Sequence, residues 1–248
     1  MKISIITVVF NNERTIESAI TSVLSQTYKN IEYIIVDGNS TDGTKQIIQK
    51  HATGIAKYIS ENDNGIYDAM NKGLKLATGD VIGLLNSDDI YESNDVINDI
   101  AQAFSGDLKL NIAYGNIVYV NALDTKKVVR KWYSKSFYPR FFENGNVPPH
   151  SALFVKKRVY EQCGLFNNDF KLAADYEFML RIFKKFGDTS KYLPKTLVRM
   201  RLGGASNSSI KNIIKGNREV LRSWKSNGYK VPLLLVPLRI FKRLIQFI

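Results

Sequence analysis

Short apolar runs alternate with amphipathic segments through the first ninety residues. The runs at 3–10 and 31–36 are rich in isoleucine and valine, which is typical of buried strands. Between them, apolar residues from 16 to 24 recur at helical spacing and predict one apolar helix face. Further strands are predicted at 58–60 and 81–85, and further helices at 44–50 and 69–77. This alternation predicts a parallel sheet with helices on both faces.

The pattern loosens after residue 90. The strands predicted at 112–120 and 128–132 flank a polar stretch, so they resemble a hairpin. The other predicted elements are helices at 95–104, 173–186 and 213–226, a strand at 152–155 and a flexible loop at 203–209.

Polar residues follow three of the predicted strands at the point where each ends. Asn11, Asp37 and Asp88 should line one crevice, because ligands of such sheets bind beyond the carboxyl ends of the strands. Asp88 and Asp89 repel each other unless a cation lies near them, which favours a Mg²⁺ or Mn²⁺ site beside a phosphate. The alternatives are a turn after the strand for this pair and a capping loop for the segment after Asp37. The metal interpretation indicates an enzyme that acts on a phosphorylated donor.

Composition limits the cellular compartments and the kinds of binding partner that are expected for the protein. Cys163 is the only cysteine among the 248 residues, which argues against a disulfide or a cysteine-based metal cluster and favours a reducing cytoplasm. No signal peptide is expected. The formal charge is +12, and residues 210–248 hold nine basic residues and one acid, Glu219, so +8 of it lies there. The alternatives for this basic segment are nucleic acid, an anionic membrane or no particular partner.

The chain after Pro237 has the pattern of an amphipathic helix. One face holds Leu238, Phe241, Leu244, Ile245 and Ile248, and the other holds Arg239, Lys242, Arg243 and Gln246. The segment is too short and too interrupted to span a bilayer. We expect it to bind an anionic membrane surface, with packing on the core or on a partner subunit as the alternative. No recognised nucleic-acid motif accompanies the charge, so nucleic acid is not an expected partner.

Several segments together resemble the family 2 glycosyltransferases. They are residues 7–12 (TVVFNN), 36–43 (VDGNSTDG), 71–73 (NKG), 77–80 (ATGD) and 86–89 (NSDD). Residues 60–71 are similar to the bacterial polysaccharide and O-antigen transferases of that family. The likeness is close over the first ninety residues and looser to about residue 205.

The resemblance implies an α/β protein with a GT-A fold, a Rossmann-like mixed sheet flanked by helices, and here a C-terminal helical, amphipathic extension. The catalytic domain would span 1–209, with the nucleotide-binding half at 1–90 and the acceptor half at 91–209. Residues 210–248 would form a basic, membrane-associating tail.

The resemblance also implies roles for residues around the donor. Thr7 and Val8 would touch the nucleoside, and Asp37 the base. Asp88 would lie at the ribose and the metal, with Asp88 or Asp89 as the main ligand of Mn²⁺ or Mg²⁺. The family usually has Asp where Asn86 stands, so one carboxylate is lost, although an amide oxygen can still bond a ribose hydroxyl. Further donor contacts are assigned to Asn11, Asp63, Lys72 and Ser87.

Asp175 stands where the family has its catalytic base, which takes the proton of the acceptor hydroxyl. The alternative is an aspartate that only stabilises the first turn of a helix. Acceptor or diphosphate contacts are assigned to His150, Arg181, Gly204 and Ser206. A structural histidine and an ordinary flexible linker are the alternatives for this group.

The implied function is an inverting, metal-dependent transfer of a hexose or N-acetylhexosamine from a UDP-sugar. The expected acceptor is a sugar on polyprenyl diphosphate during surface polysaccharide assembly, on the inner face of a bacterial cell membrane and peripheral to it. A sugar nucleotidyltransferase is an alternative, but it needs a glycine-rich basic loop where residues 11–13 read Asn-Asn-Glu. A cationic protein that binds nucleic acid or membranes is another.

Overall fold

The computed structural model describes residues 1–203 and 210–246. These residues form nine strands and eight α-helices. The strands are β1 (Ile3–Val9), β2 (Ile31–Asp37), β3 (Lys57–Ser60), β4 (Val81–Leu84), β5 (Ile90–Tyr91), β6 (Ile112–Val120), β7 (Val128–Trp132), β8 (Leu153–Lys156) and β9 (Ser190–Arg201). The helices are α1 (Ile16–Leu24), α2 (Thr44–Lys50), α3 (Ile66–Leu76), α4 (Val96–Gly106), α5 (Lys157–Cys163), α6 (Ala174–Phe186), α7 (Ile210–Ser226) and α8 (Leu235–Ile245).

The described strands belong to one mixed sheet, in the order β3-β2-β1-β4-β8-β6-β9-β5, with β7 paired to β6. The four strands β1 to β4 are parallel to one another, as the alternation of strands and helices predicts. β8 is antiparallel to both of its neighbours, β4 and β6, so the direction changes in the middle of the sheet. The predicted mixed sheet flanked by helices is therefore confirmed.

β6 changes partners along its length. Its residues 112–114 pair with β8, and its residues 117–120 pair with β7, which confirms the predicted hairpin. Its other edge pairs with β9 in parallel. The far half of β6 and the whole of β7 therefore extend past β8 and form a wall beside the site described below.

β9 has no counterpart in the sequence-based prediction. The run that forms it is interrupted by Pro194 and by basic residues, although Leu197 and Val198 are completely buried. Proline has no N–H group to donate to a neighbouring strand, so its presence argues against a strand when only the sequence is considered. The pairing with β6 shifts register between Tyr114 and Asn116, opposite Pro194, and this irregularity accommodates the proline.

Apolar residues pack on both faces of the sheet. One cluster joins the sheet to α1, α2 and α4, and the other joins it to α3, α5 and α6. This arrangement confirms the prediction that helices cover both faces.

The C-terminal helices pack into the second of these clusters. Val220 and Trp224 of α7 and Leu235 of α8 are buried among residues of the sheet and of α6. The boundary predicted at residue 210 therefore does not separate two cores, since the basic segment completes the core of the preceding domain.

Among the described helices, none combines the length and the apolar character that crossing a bilayer requires.

Candidate active site

The loops after β1, β2 and β4 lie side by side at one edge of the sheet, as predicted. Register brings Val9 opposite Asp37 and Ile6 opposite Leu84, so the parallel strands end together. The Asn12 Nδ2 donates to Ser87 Oγ at 2.8 Å and ties the first loop to the third. The Asn11 main-chain N–H donates to Ser40 Oγ at 2.8 Å, and Asn11 Oδ1 accepts from the Thr41 N–H at 2.8 Å. Asn11 and Asn12 therefore join the first loop to the other two.

The Asp37 carboxylate lies beneath the crevice and is not open to it. Asp37 is completely buried, and its oxygens accept from the Ser40 N–H at 3.1 Å, from Ser40 Oγ at 2.5 Å and from Ser60 Oγ at 2.5 Å. These bonds hold the turn after β2 against the end of β3. Asp37 thus supports the turn after β2 in this structure, and its contact with a base stays a prediction.

The side chains of Thr7 and Val8 lie on opposite faces of the sheet. Thr7 is completely buried, and its Oγ1 accepts from the Tyr33 hydroxyl at 3.1 Å. Val8 is buried in the core on the other face, as the alternation of side chains along a strand requires. Their contact with a nucleoside stays a prediction.

Asp63 approaches the loop after β2, whereas Lys72 supports the segment that carries Asp63. A Cβ atom added at Gly38 would lie 2.5 Å from Asp63 Oδ2, so only glycine permits this approach. Lys72 Nζ lies 2.8 Å from a Glu61 carboxylate oxygen and donates to the Asn62 carbonyl at 2.7 Å. The Lys72 ammonium is therefore engaged with residues 61–62, and the predicted donor contact is taken up by this internal role.

Asp89 is completely buried, and two donors hold its carboxylate. Asn86 Nδ2 donates to Oδ2 at 2.9 Å, and the Arg201 main-chain N–H donates to Oδ1 at 3.3 Å. Burial and the neighbouring Asp88 charge raise the pKa of Asp89 well above its ordinary value, against these hydrogen bonds. The departure at Asn86 from the family pattern thus has a physical reason: an amide can donate to the buried carboxylate, whereas an aspartate would repel it.

Asp88 is the carboxylate of the pair that reaches the surface. It is partly exposed, unlike Asp89. Burial raises the pKa of Asp88, while the charges of Arg201 and His150 lower it. Asp88 is therefore the accessible carboxylate of the predicted metal pair, whereas Asp89 is hydrogen-bonded inside the protein.

Arg201 is a site residue that the sequence reasoning missed. It lies at the end of β9, where Nη1 donates to the Asp88 carbonyl at 2.5 Å and Nη2 donates to Ser18 Oγ at 3.1 Å. It therefore fixes the loop that carries both carboxylates. Arg201 could not be identified from the sequence, because β9 was not predicted and a single arginine forms no recognisable motif.

Asp175 lies in the first turn of α6, beside the Tyr67 hydroxyl and the His150 ring. The Tyr67 hydroxyl donates to Oδ1 at 3.1 Å, and His150 Nδ1 lies 3.3 Å from Oδ2. Burial and the Asp175 charge raise the pKa of Tyr67 well above its ordinary value, so its hydroxyl stays protonated and donates. The Asp175 and His150 side chains are each 25 % exposed. The carboxylate is thus oriented and still accessible.

Helix α7 holds the segment that leads into α6. Glu219 accepts from the main-chain N–H groups of Lys171, Leu172 and Ala173 at 3.2, 2.8 and 3.0 Å. Trp224 Nε1 donates to the Tyr176 hydroxyl at 3.0 Å. The lone acid of the basic segment therefore positions the backbone immediately before Asp175.

The structure gives Arg181 a role other than the predicted contact. Its guanidinium donates to both Glu177 carboxylate oxygens at 2.9 Å and to the main-chain carbonyls of Cys163, Gly164 and Leu165. These bonds use the donors of the guanidinium and join α6 to the end of α5. The other predicted contacts of this group, Gly204 and Ser206, lie outside the described residues.

His150 connects the two halves of the site. It lies beside Asp175, and its charge acts on Asp88 at the end of the sheet. Among the described residues, no group of three or more histidine, cysteine, aspartate or glutamate side chains is arranged to hold a metal ion alone. Any cation here would therefore need ligands from a bound molecule as well as from the protein.

Comparisons of sequence agree with this geometry. Residues 4–160 match the family model described as glycosyl transferase family 2. An uncharacterized glycosyltransferase, MT1564, of Mycobacterium tuberculosis is 32% identical over 181 residues, which are 72% of this chain and 68% of the relative. A PGL/p-HBAD biosynthesis glycosyltransferase of Mycobacterium bovis is 27% identical over 212 residues, which are 84% of this chain and 80% of the relative.

Solved structures share the fold. Staphylococcus aureus TarS 1-349 in complex with UDP-GlcNAc has a TM-score of 0.69 at 18% identity, covering 98% of this chain and 79% of that chain. Mycobacterium tuberculosis glucosyl-3-phosphoglycerate synthase, with Mn²⁺, UDP and glucosyl-3-phosphoglycerate, has a TM-score of 0.66 at 19% identity, covering 92% and 81%. These likenesses confirm the predicted GT-A fold. With the family match over most of the chain, they establish that the protein belongs to glycosyl transferase family 2.

Proposed function

We propose that this glycosyltransferase is a metal-dependent, inverting enzyme that moves a hexose or N-acetylhexosamine from a UDP-sugar to a sugar hydroxyl. The observation that supports this most strongly is the position of Asp175. The Tyr67 hydroxyl donates to its carboxylate, and the His150 ring lies 3.3 Å from it.

Asp175 acts as the general base in this proposal. The acceptor hydroxyl donates its proton to an Asp175 carboxylate oxygen while the hydroxyl oxygen attacks the anomeric carbon. Attack comes from the face opposite the leaving UDP, so the configuration at that carbon is inverted. Tyr67 and His150 keep the carboxylate aimed at the hydroxyl.

Asp88 is the residue that would hold a Mn²⁺ or Mg²⁺ ion. Magnesium in proteins is commonly bound through one or two carboxylates together with substrate phosphates, so one exposed carboxylate suffices when a diphosphate is present. The bound ion would neutralise charge on the leaving diphosphate. Arg201 keeps the Asp88 backbone in place through its carbonyl bond.

The nucleotide is assigned by chemistry and by likeness. TarS and glucosyl-3-phosphoglycerate synthase hold UDP or a UDP-sugar, whereas the mannosyltransferase of Pyrobaculum calidifontis holds GDP-Man and Mn²⁺. We favour UDP because TarS and glucosyl-3-phosphoglycerate synthase hold it, and Asn11, Asp63 and Ser87 would contact the donor. Thr7, Val8 and Asp37 would shape that pocket from below.

We further propose a lipid-linked acceptor, a sugar on polyprenyl diphosphate in surface polysaccharide assembly, used at the inner face of the cell membrane. The support is the apolar surface near α8. Leu233, Leu234, Phe241 and Leu244 are 97 %, 64 %, 59 % and 61 % exposed. Several exposed apolar side chains on one helix and its start are typical of a surface that enters the interfacial layer of a membrane.

A donor screen tests the enzyme class and the nucleotide. Purified protein is incubated with UDP-, GDP- and dTDP-sugars, in Mn²⁺ and in chelator, and release of the nucleotide diphosphate is measured. We expect release from a UDP-sugar that needs the metal. Release that is equal in chelator would contradict the metal assignment. Formation of pyrophosphate from UTP and a sugar phosphate would favour a nucleotidyltransferase.

A further inference from the structure

A large groove leads away from Asp175 toward the C-terminus of the chain. Its volume is about 830 Å³, and its walls come from β7, the loop at 145–147, α6, α7 and α8. Asp175 and His150 lie at one end, and residues 240–246 of α8 lie along one side. The groove is therefore connected to the base and extends well beyond the volume that one sugar needs.

The groove is strongly basic. Besides Arg201, its basic lining consists of Arg130, Lys131 and Lys135 beside Arg239, Lys242 and Arg243. Asp175 is the only carboxylate among the described residues that line it. Low-dielectric walls with charges of one sign concentrate the field, so this groove attracts an anion.

Helix α8 turns its basic side into the groove. Lys242 Nζ donates to Asn146 Oδ1 at 2.6 Å, and the Arg239 guanidinium carbon lies 4.4 Å from the centre of the Tyr176 ring. The helix backbone lies against Gly145, where an added Cβ would be 3.0 Å from the Arg239 nitrogen. Phe241 is 59 % exposed. The basic side thus faces the protein, and not a membrane as the sequence pattern suggests.

Arg239 has hydrogen-bonding capacity that the described residues do not use. Its Nε and Nη1 atoms are buried and have no hydrogen-bond partner within 1–203 and 210–246. Buried donors without a partner are rare and costly in folded proteins. Desolvation lowers the pKa of Arg239, against the nearby Tyr176 and Asp175 that raise it. An anion at the guanidinium would satisfy the donors and offset the desolvation.

We propose that Arg239, with Lys242 and Arg243 beside it, binds the diphosphate that joins the sugar acceptor to its lipid. A guanidinium presents two parallel donors that match a phosphate oxygen pair. Arg239 contacts Tyr176, the neighbour of Asp175 in α6, and both Arg239 and Asp175 line the same groove, so the sugar of the acceptor would lie in this groove beside the base. The lipid chain then leaves along the exposed apolar residues of α8. This inference rests on the proposed function.

Farnesyl diphosphate tests the subsite on the full chain. The protein is first saturated with UDP and Mn²⁺ so that the donor site is filled, and binding is followed by calorimetry. The neutral analogue farnesol and inorganic pyrophosphate are measured alongside. Arg239→Gln should weaken farnesyl diphosphate binding about tenfold or more and leave farnesol and UDP binding unchanged. Lys230→Gln, an exposed cation outside the groove, is the matched control and should match the wild type.

Several outcomes would overturn the inference. Equal farnesyl diphosphate binding by Arg239→Gln and the wild type would remove Arg239 from the site. Pyrophosphate binding as tight as farnesyl diphosphate would show a site for a free anion, and displacement by phosphatidylglycerol vesicles would favour a lipid headgroup. If Arg239→Gln does not fold, Arg239→Lys should still weaken binding. In the wild type, farnesyl diphosphate should raise the melting temperature and farnesol should not. Loss of UDP binding by the wild type would instead refute the proposed function.

Discussion

His150 Nδ1 lies 3.3 Å from Asp175 Oδ2, and the Tyr67 hydroxyl donates to the other oxygen of the same carboxylate, Oδ1. The Tyr67 hydrogen bond and the His150 contact hold the carboxylate, which stays 25 % exposed. A hydrogen bond to a charged group contributes about 1.5–3 kcal/mol, so the orientation of Asp175 depends measurably on Tyr67, and the His150 ring adds a second contact.

Tyr67→Phe and His150→Gln should each lower kcat about tenfold or more without changing UDP affinity, because only the base is misaligned. Turnover is measured as UDP release from the preferred donor. Tyr28→Phe is the matched control, since its hydroxyl bonds the Met1 carbonyl at the protein surface. Wild-type turnover in both test variants would show that Tyr67 and His150 do not position Asp175.

Glu219→Gln should lower both stability and kcat. A carboxylate accepts the three main-chain N–H groups of residues 171–173 on two oxygens, and an amide has only one acceptor oxygen. We expect a loss of about 1–2 kcal/mol in the free energy of unfolding and a reduced kcat at unchanged UDP affinity. Urea unfolding and kinetics check this, with the exposed Glu161→Gln as control. A stability loss with unchanged kcat would show that Glu219 does not position the base.

The ionisation of Glu32 makes the free energy of unfolding depend on pH, independently of catalysis. Burial raises its pKa, but bonds from Ser4, Thr78 and Lys57 outweigh this and lower the pKa from 4.5 to about 2. A carboxyl group whose pKa is lower in the folded than in the unfolded protein stabilises the fold at pH values above its unfolded pKa. This stabilisation is lost as the pH falls toward its folded pKa. Glu32→Gln should therefore cost about 2–3 kcal/mol at pH 7 and little near pH 2.

Urea unfolding of Glu32→Gln and wild type at pH 7, 4 and 3 checks this window. The difference between the two proteins should begin to shrink below about pH 4.5 and continue to shrink toward pH 2. A difference that is the same at every pH would mean that the ionised carboxylate contributes nothing specific.

The fold of the first ninety residues was largely predictable from the sequence. Buried parallel strands have continuous apolar runs, so β1, β2 and β4 and the meeting of their loops were predictable. β9 was not, because Pro194 and its basic residues hide the apolar pair Leu197 and Val198.

Which polar residues are buried could not be read from the sequence. Motif position suggests that Asp37 and Asp89 face a ligand, whereas hydrogen bonds from distant residues such as Ser60 and Arg201 hold them inside. The hydrogen bond from Tyr67 to Asp175 could not be predicted either, because Tyr67 is 108 positions away in the chain. Such contacts are set by tertiary packing and leave no local pattern.

The exposed apolar residues near α8 should bind membranes. A variant with Leu234, Phe241 and Leu244 all changed to serine is expected to lose cosedimentation with phosphatidylglycerol vesicles, because these side chains are more than half exposed. Leu235, which is completely buried, stays intact, so the fold should be preserved. Leu123→Ser, at a residue that is 99 % exposed elsewhere, is the control. Unchanged cosedimentation of the triple variant would point to a role in packing against a partner.

The most direct test of the central claim combines two measurements on Asp175→Asn. UDP binding in Mn²⁺ is measured by calorimetry, and UDP release from the preferred UDP-sugar is measured on the same preparation. We predict wild-type UDP affinity and a turnover lower by about 10²–10⁴-fold, since only the proton acceptor is removed. Turnover close to that of the wild type would contradict the assignment of Asp175 as the catalytic base.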